Sequence, residues 1–269
     1  MRTTSLLKKL THHQIWGVVA ILLLAALIDA PSAGAGVIEN GLIGYWAGDG
    51  NANDSSSTHN DGLFLGNANY VPGVRGQAFN LNFGAAFVTI PDNPLYTFGP
   101  AVTVAFWMYG QVQGSVFVGQ DNGPGFSEKW FVALGYPSVG FYDFHINHPG
   151  GPPQYIGPQV TIPLSDGWNH LAFVKDGEDF LFYANGQFDG QVTVPGVTMA
   201  DPTANLQFGI VEQCCQYTGP LDEVTIHSRA LSAEEVAILA DVPEPAGASL
   251  FIVAILAIIA LRAIRPSTE

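Results

Sequence analysis

Turn-forming residues cut the middle of this chain into short apolar pieces, and that punctuation constrains the fold more than any other feature. Between residues 36 and 241, roughly a dozen segments have strand length and strand composition. They include residues 42–46, 87–90, 102–109, 130–134, 139–146, 168–175, 180–184 and 223–227. Clusters of Gly, Pro, Asn and Asp separate nearly all of them. Asn185-Gly186 follows residues 180–184, and because both residues accept positive φ it is a strong hairpin signal. Residues 102–106 alternate Val, Thr, Val, Ala, Phe, which suits a strand with two differently solvated faces. One helix is expected near the end, where Ser232 and Glu235 stand at capping-box spacing before Val236, Leu239 and Ala240. With 31 Gly, 18 Pro and only 12% charged residues, a helical bundle is excluded. The pattern predicts an all-β, two-sheet antiparallel jelly-roll sandwich. Tyr45, Trp46, Phe106, Trp107, Trp168 and Phe182 are expected to fill the gap of about 10 Å between the sheets.

The two ends read differently. Arg2, Lys8 and Lys9 precede the apolar residues 15–28, and Pro31, Ser32, Ala33, Gly34 and Ala35 follow. A basic start, a short apolar run and a small-residue exit predict a secretory signal peptide over residues 1–35, cut after Ala33 or Ala35. At the other end Pro243, Glu244 and Pro245 lead into an apolar run over residues 246–261, then Arg262 and Arg265. Such a run predicts a terminal transmembrane helix with its arginines on the cytoplasmic side. Both ends then place the middle outside the cell. The Pro-Glu-Pro, apolar helix and arginine order over residues 242–269 resembles the PEP-CTERM sorting signal. That resemblance implies cleavage by an exosortase, and export implies a signal peptidase as a further processing partner. The basic end is sparser than the family's usual cluster.

Charge narrows the partners. Residues 36–241 carry four basic residues, Arg75, Lys129, Lys175 and Arg229, against 20 acidic ones, a net of −16. Nucleic acid needs a basic footprint and is excluded as a partner. The adjacent Cys214 and Cys215 are the only cysteines. Outside the cell they are expected to close a vicinal disulfide, with two thiols or an intermolecular bridge as the alternatives.

Several motifs now combine. Gly44-Tyr45-Trp46 precedes Asp49-Gly50-Asn51-Ala52-Asn53-Asp54, and Val71-Pro72-Gly73-Val74-Arg75-Gly76-Gln77-Ala78 follows. Val88-Thr89-Ile90-Pro91, Val104-Ala105-Phe106-Trp107, Gly167-Trp168-Asn169-His170 and Leu181-Phe182-Tyr183-Ala184-Asn185-Gly186 come next, before Leu221-Asp222-Glu223-Val224. In this order they resemble the LamG-like jelly-roll domains of the concanavalin A-like lectin/glucanase superfamily, over about residues 41–240. The resemblance implies a structural calcium ion at Asp49 and Asp222, with Asp54 and Asn60 as weaker ligands. The alternative is that these Asn and Asp residues only build turns.

No catalytic pattern emerges. A retaining glucanase needs two carboxylates about 5–5.5 Å apart, and no strand carries the superfamily's spaced acids. No nucleophile elbow or zinc spacing occurs. The chain is therefore read as a binding protein and not an enzyme. Residues 119–163 hold the candidate ligand residues Trp130, Tyr142, His145, Asn147 and Tyr155. Aromatic faces beside amides suit sugar rings, so an extracellular polysaccharide or surface glycan is the expected partner. An adhesive surface protein without a small ligand and, behind it, a glycoside hydrolase are the alternatives. His170, in mid-strand, is read as structural.

Overall fold

The computed structural model describes residues 36–241, apart from residues 82–85, 112, 124, 126 and 212–214. Residues 1–35, where a signal peptide is expected, Pro243, Glu244, Pro245 and the apolar segment expected to span the membrane lie outside the described residues, as does Cys214. Among the described residues no helix is long and apolar enough to cross a membrane.

In chain order the first strands are β1 (Leu42–Trp46), β2 (Leu63–Leu65), β3 (Tyr70–Pro72), β4 (Gln77–Asn80) and β5 (Phe87–Ile90). Then come β6 (Ala101–Tyr109), β7 (Ser115–Asp121), β8 (Lys129–Leu134), β9 (Tyr142–Asn147) and β10 (Gln154–Ile156). The last are β11 (Trp168–Asp176), β12 (Asp179–Ala184), β13 (Gln187–Thr193), β14 (Leu206–Phe208) and β15 (Pro220–His227), before the helix α1 (Ala233–Leu239). They form two antiparallel sheets. An eight-stranded sheet runs β13-β12-β11-β6-β15-β4-β3, with β1 also paired to β15. A seven-stranded sheet runs β10-β9-β8-β7-β14-β5-β2. This is the expected all-β sandwich.

Local chemistry explains the turns. Ala184 pairs with Gln187, so Asn185 and Gly186 alone connect β12 to β13, at φ 50° and 74°. Two positive φ values are what a hairpin turn with the strands' own twist requires. Asn185 also accepts from the His170 N–H through its side chain, which ties the turn to β11. The sequence pattern missed β3, β4 and β10. These strands have three or four residues, too few for alternation to show. It also began β9 too early, because the Phe141 N–H turns back onto the Ser138 carbonyl.

The core lies between the sheets. Trp46, Phe79, Phe106, Phe173, Phe182 and Ile226 from the eight-stranded sheet meet Phe117, Trp130, Tyr142, Phe144 and Phe208 from the other. Of the aromatics expected there, Tyr45, Trp107 and Trp168 are instead on the outer side of the eight-stranded sheet. Trp107 and Trp168 stand at odd steps from the inward Phe106 and Leu171, and Trp107 packs on the buried His170 with ring centroids 5.4 Å apart. Helix α1 and the residue ahead of its cap cover part of that outer side, Val236 and Leu239 of the helix and Leu231 before it packing with Ala105, Ala172, Val174 and Tyr183. Its capping box is formed: Ser232 accepts from the Glu235 N–H, and Glu235 accepts from the Ser232 N–H at 2.9 Å.

Candidate binding face

Buried polar groups collect on the outer face of the seven-stranded sheet, as they also do around Asp222, Glu223, His170 and His227 in the eight-stranded one. Strand alternation decides which side chains reach the outer face of the seven-stranded sheet. On β8, Trp130, Val132 and Leu134 join the core, so Lys129, Phe131 and Ala133 point outward. On β9, Tyr142, Phe144 and Ile146 point inward, leaving Asp143, His145 and Asn147 outward. Cross-strand register aligns these into rows. Asp121, Lys129 and Asn147 make one row, and Gly119, Phe131, His145 and Tyr155 make the next. A Cβ on Gly119 would stand 2.4 Å from the Phe131 Cβ, so the glycine is what lets Phe131 lie flat there.

This placement splits the five nominated ligand residues. His145, Asn147 and Tyr155 come together on the outer face. Trp130 and Tyr142 do not, and here the sequence expectation is corrected. The Trp130 side chain is fully buried and donates through Nε1 to Gln120 at 2.9 Å. Tyr142 is buried too, and its hydroxyl donates to Asp189 at 2.7 Å. Grouping these residues by type ignored the period of two. Applied from Asn147 backwards, that period picks out His145 and Asp143, the acid that the sequence reading passed over.

The outer face has an aromatic part and a polar part. The His145 ring stacks on Phe131, centroids 4.3 Å apart at 10°. Tyr155 lies across His145 at 4.7 Å, and Tyr136 closes the group 5.7 Å from Phe131. Tyr155 is 47% exposed. Val116, Ala133, Val211 and Cys215 pack around Phe131. Cys215 belongs to the expected disulfide, whose other half lies outside the described residues.

The polar part is unevenly satisfied. Lys129 Nζ sits 3.2 Å from Asp121 and donates to the Gly123 carbonyl, and Asn147 Nδ2 donates to the Ser127 carbonyl at 2.7 Å. Asp143 Oδ1 accepts from the Ile156 N–H at 3.1 Å. Among the described residues, Asp143 Oδ2, His145 Nδ1 and Asn147 Oδ1 are buried and have no hydrogen-bond partner, and no other part of the fold brings three such atoms onto one strand. Such atoms are rare in folded proteins and call for an explanation. Burial pushes the Asp143 carboxyl up to about 8 against the pull of the Ile156 N–H. Burial, helped by the charge of Lys129, lowers His145 to about 4. The imidazole is therefore neutral near pH 7.

The carboxylates on the described strands of this face are not spaced for glycoside hydrolysis. Its strands bring out two carboxylates, Asp121 and Asp143. The register separates them by four residues and two strands, about 13 Å along and about 10 Å across, or about 16 Å. Glycoside hydrolysis needs about 5–5.5 Å or about 6.5–9.5 Å.

The residues nominated for calcium stand in two places. Asp54 accepts from the Tyr45 and Ser56 N–H groups on one oxygen, and from Thr58 Oγ1 and the Asn60 N–H on the other. Its four lone-pair sites are filled, so Asp54 is a turn former and not a cation ligand. Burial works to raise its pKa, but the N–H bonds outweigh it and hold the carboxyl below its ordinary range. Asn60 is engaged with the Ile43 carbonyl and with Asn93. Asp49 and Asp222 instead grip one loop. Asp49 accepts from the Gln77 N–H at 2.7 Å, and Asp222 Oδ2 accepts from Val74 and Arg75 at 2.8 and 3.2 Å. A Cβ at Gly76 would fall 2.0 Å from Asp49 Oδ1, and one at Gly73 2.5 Å from Asp222 Oδ2. Among the described residues no three His, Cys, Asp or Glu side chains form a metal-holding group.

Fold and face together define a sandwich of the lectin and glucanase type. The sequence matches the Laminin_G_3 description, concanavalin A-like lectin/glucanases superfamily, over residues 82–237, and the chain belongs to that superfamily. Curated proteins give no match. Among solved structures it resembles domain 4 of AbnA, a GH43 extracellular arabinanase from Geobacillus stearothermophilus, in complex with arabinotriose. The TM-score is 0.61 at 20% identity, covering 74% of this chain and 98% of that one. It also resembles the binding domain of Paraclostridial Mosquitocidal Protein 1, with TM-score 0.60, 17% identity and 75% of this chain. The binding domain of botulinum neurotoxin DC in complex with SialylT gives 0.57 and 14% over 76%. Each of these toxin matches covers 52% of the toxin chain.

Proposed function

We propose that the chain is an exported binding module of the cell surface or extracellular matrix, which holds a glycan on the outer face of its seven-stranded sheet. One observation carries this reading: three buried, unpartnered polar atoms lie beside the stacked Phe131, His145 and half-exposed Tyr155. Rings that stack on sugar C–H groups and polar atoms left to bond hydroxyls are the two things a sugar face needs. The AbnA domain, solved with arabinotriose, supports the reading by likeness of fold. Export, tail cleavage by an exosortase and anchoring before that cleavage belong to the same proposal and rest on the two end segments of the sequence. Calcium belongs to it as well, at Asp49 and Asp222, where lone pairs remain.

Glycan-array binding by the full chain tests the central claim. Binding lost in Tyr155→Ala, with an unchanged unfolding midpoint, is the expected result. Capture of a protein partner with no glycan signal would turn the reading to adhesion. Mass spectrometry of the surface-located protein checks the ends, since peptides from residues 15–28 and 250–261 should be missing.

A further inference from the structure

We infer that the glycan this face selects carries a free amine, as in a hexosamine whose nitrogen is not acylated, with the ammonium group seated between Asp143 and His145. The inference rests on the glycan-binding reading and names its ligand class.

The unpartnered atoms share one character. Asn147 Oδ1 is an acceptor, the neutral His145 offers Nδ1 as an acceptor when its proton is on Nε2, and Asp143 Oδ2 becomes one when an arriving cation drives the carboxyl proton into solvent. Their side chains belong to residues 1%, 4% and 1% exposed, in the order 143, 145, 147. A ligand that satisfies them must bring donors, and a protonated amine brings three together with a positive charge. Asp143 Oδ2 and His145 Nδ1 are 3.9 Å apart, too far to bond each other and close enough to share one ammonium. Among the described residues no Lys or Arg lies against Asp143, so its buried carboxyl keeps its proton until a cation such as the ammonium takes that proton's place.

Anionic sugars are disfavoured by the same geometry. Each of the four basic side chains in residues 36–241 is engaged. Arg75 pairs with Glu223, Lys129 with Asp121 and Arg229 with Glu235, while Lys175 donates to the Pro100 and Gly177 carbonyls. Lys129 faces Asn147, four residues along β9 from Asp143, and Asp121 balances its charge. Among the described residues a uronate or sulfate would find no available cation, and residues 36–241 carry a net charge of −16. The half-exposed Tyr155 ring on the short edge strand β10 lies across His145, so access to the buried atoms requires that ring to move off His145, where it can stack on the sugar.

Calorimetric titration of the full chain with a glucosamine oligomer, its N-acetylated form and a uronic-acid oligomer, in buffer near neutral pH where the Asp143 proton is more readily released, tests this. The free-amine oligomer should bind about tenfold or more tighter than the acetylated one, the worth of one charge-assisted hydrogen bond, and the uronate should not bind. Asp143→Asn should bring the two hexosamines to parity. Asp166→Asn removes an exposed charge and should leave the preference intact. Loss of preference in Asp166→Asn would reduce the effect to general charge attraction and overturn the inference. Equal affinities in the wild type would overturn it too, while Tyr155-dependent binding of both oligomers would leave the glycan-binding reading standing. Absence of binding by all three sugars would defeat both.

Discussion

Replacing Asp143 by Asn should make the protein more stable above neutral pH. The carboxyl is 1% exposed and its pKa is pushed up to about 8, from an ordinary value of 3.8. In the unfolded chain it ionises near 3.8; in the native state it holds its proton until about 8. The native state binds the extra proton, so stability falls as pH rises through that window. Each pH unit costs at most about 1.4 kcal/mol, giving a ceiling of about 6 kcal/mol. Structural relaxation and water entry lower this, because buried sites behave as if their dielectric constant were well above that of dry protein. We expect about 2–3 kcal/mol. Asparagine keeps the acceptor for the Ile156 N–H and never ionises. Urea unfolding at about pH 4 should find the two proteins within about 0.5 kcal/mol of each other, and the gap should open through neutrality and level off above about pH 8. Asp222 has a pKa raised to about 8 by burial and Glu223, so both proteins retain its slope and the difference isolates Asp143. A variant equal to or weaker than wild type at high pH would refute the reasoning. A stabilising change at a binding residue is also what a site kept for function predicts.

Other expectations follow from the same geometry. Trp130→Ala should cost about 3–5 kcal/mol by denaturant unfolding, since it empties core volume and leaves Gln120 Oε1 without its donor; a loss of glycan binding at unchanged stability would contradict the inward placement. Gly119→Val should displace Phe131, weakening sugar binding and lowering the unfolding midpoint together. Ser232→Ala should cost about 1 kcal/mol and speed amide exchange at the start of α1, because the capping box is lost. Millimolar calcium should raise the unfolding midpoint, and Asp222→Ala should abolish the rise. An unchanged wild-type midpoint would make Asp49 and Asp222 clasps of the loop over residues 73–77 and nothing more.

Much of this protein was legible as local chemistry. Asn185-Gly186 dictates a two-residue hairpin because both residues accept positive φ, and Ser232 with Glu235 dictates a helix start because they satisfy each other's backbone donors. Short apolar pieces between turn residues require a sandwich, since a strand can hide its apolar face only against another sheet. The candidate site was half legible. His145, Asn147 and Tyr155 stood in the right stretch, but their meeting with Phe131 and Gly119 depends on the register among β7, β8, β9 and β10, which no single strand encodes. Strand alternation turned Trp130 and Tyr142 away from that group, local turn bonds took up Asp54, and distant strand pairing brought Asp49 and Asp222 to one loop. Local composition fixes which elements form. Pairing between distant strands decides which polar atoms are left buried without partners, and the proposed function rests on those atoms.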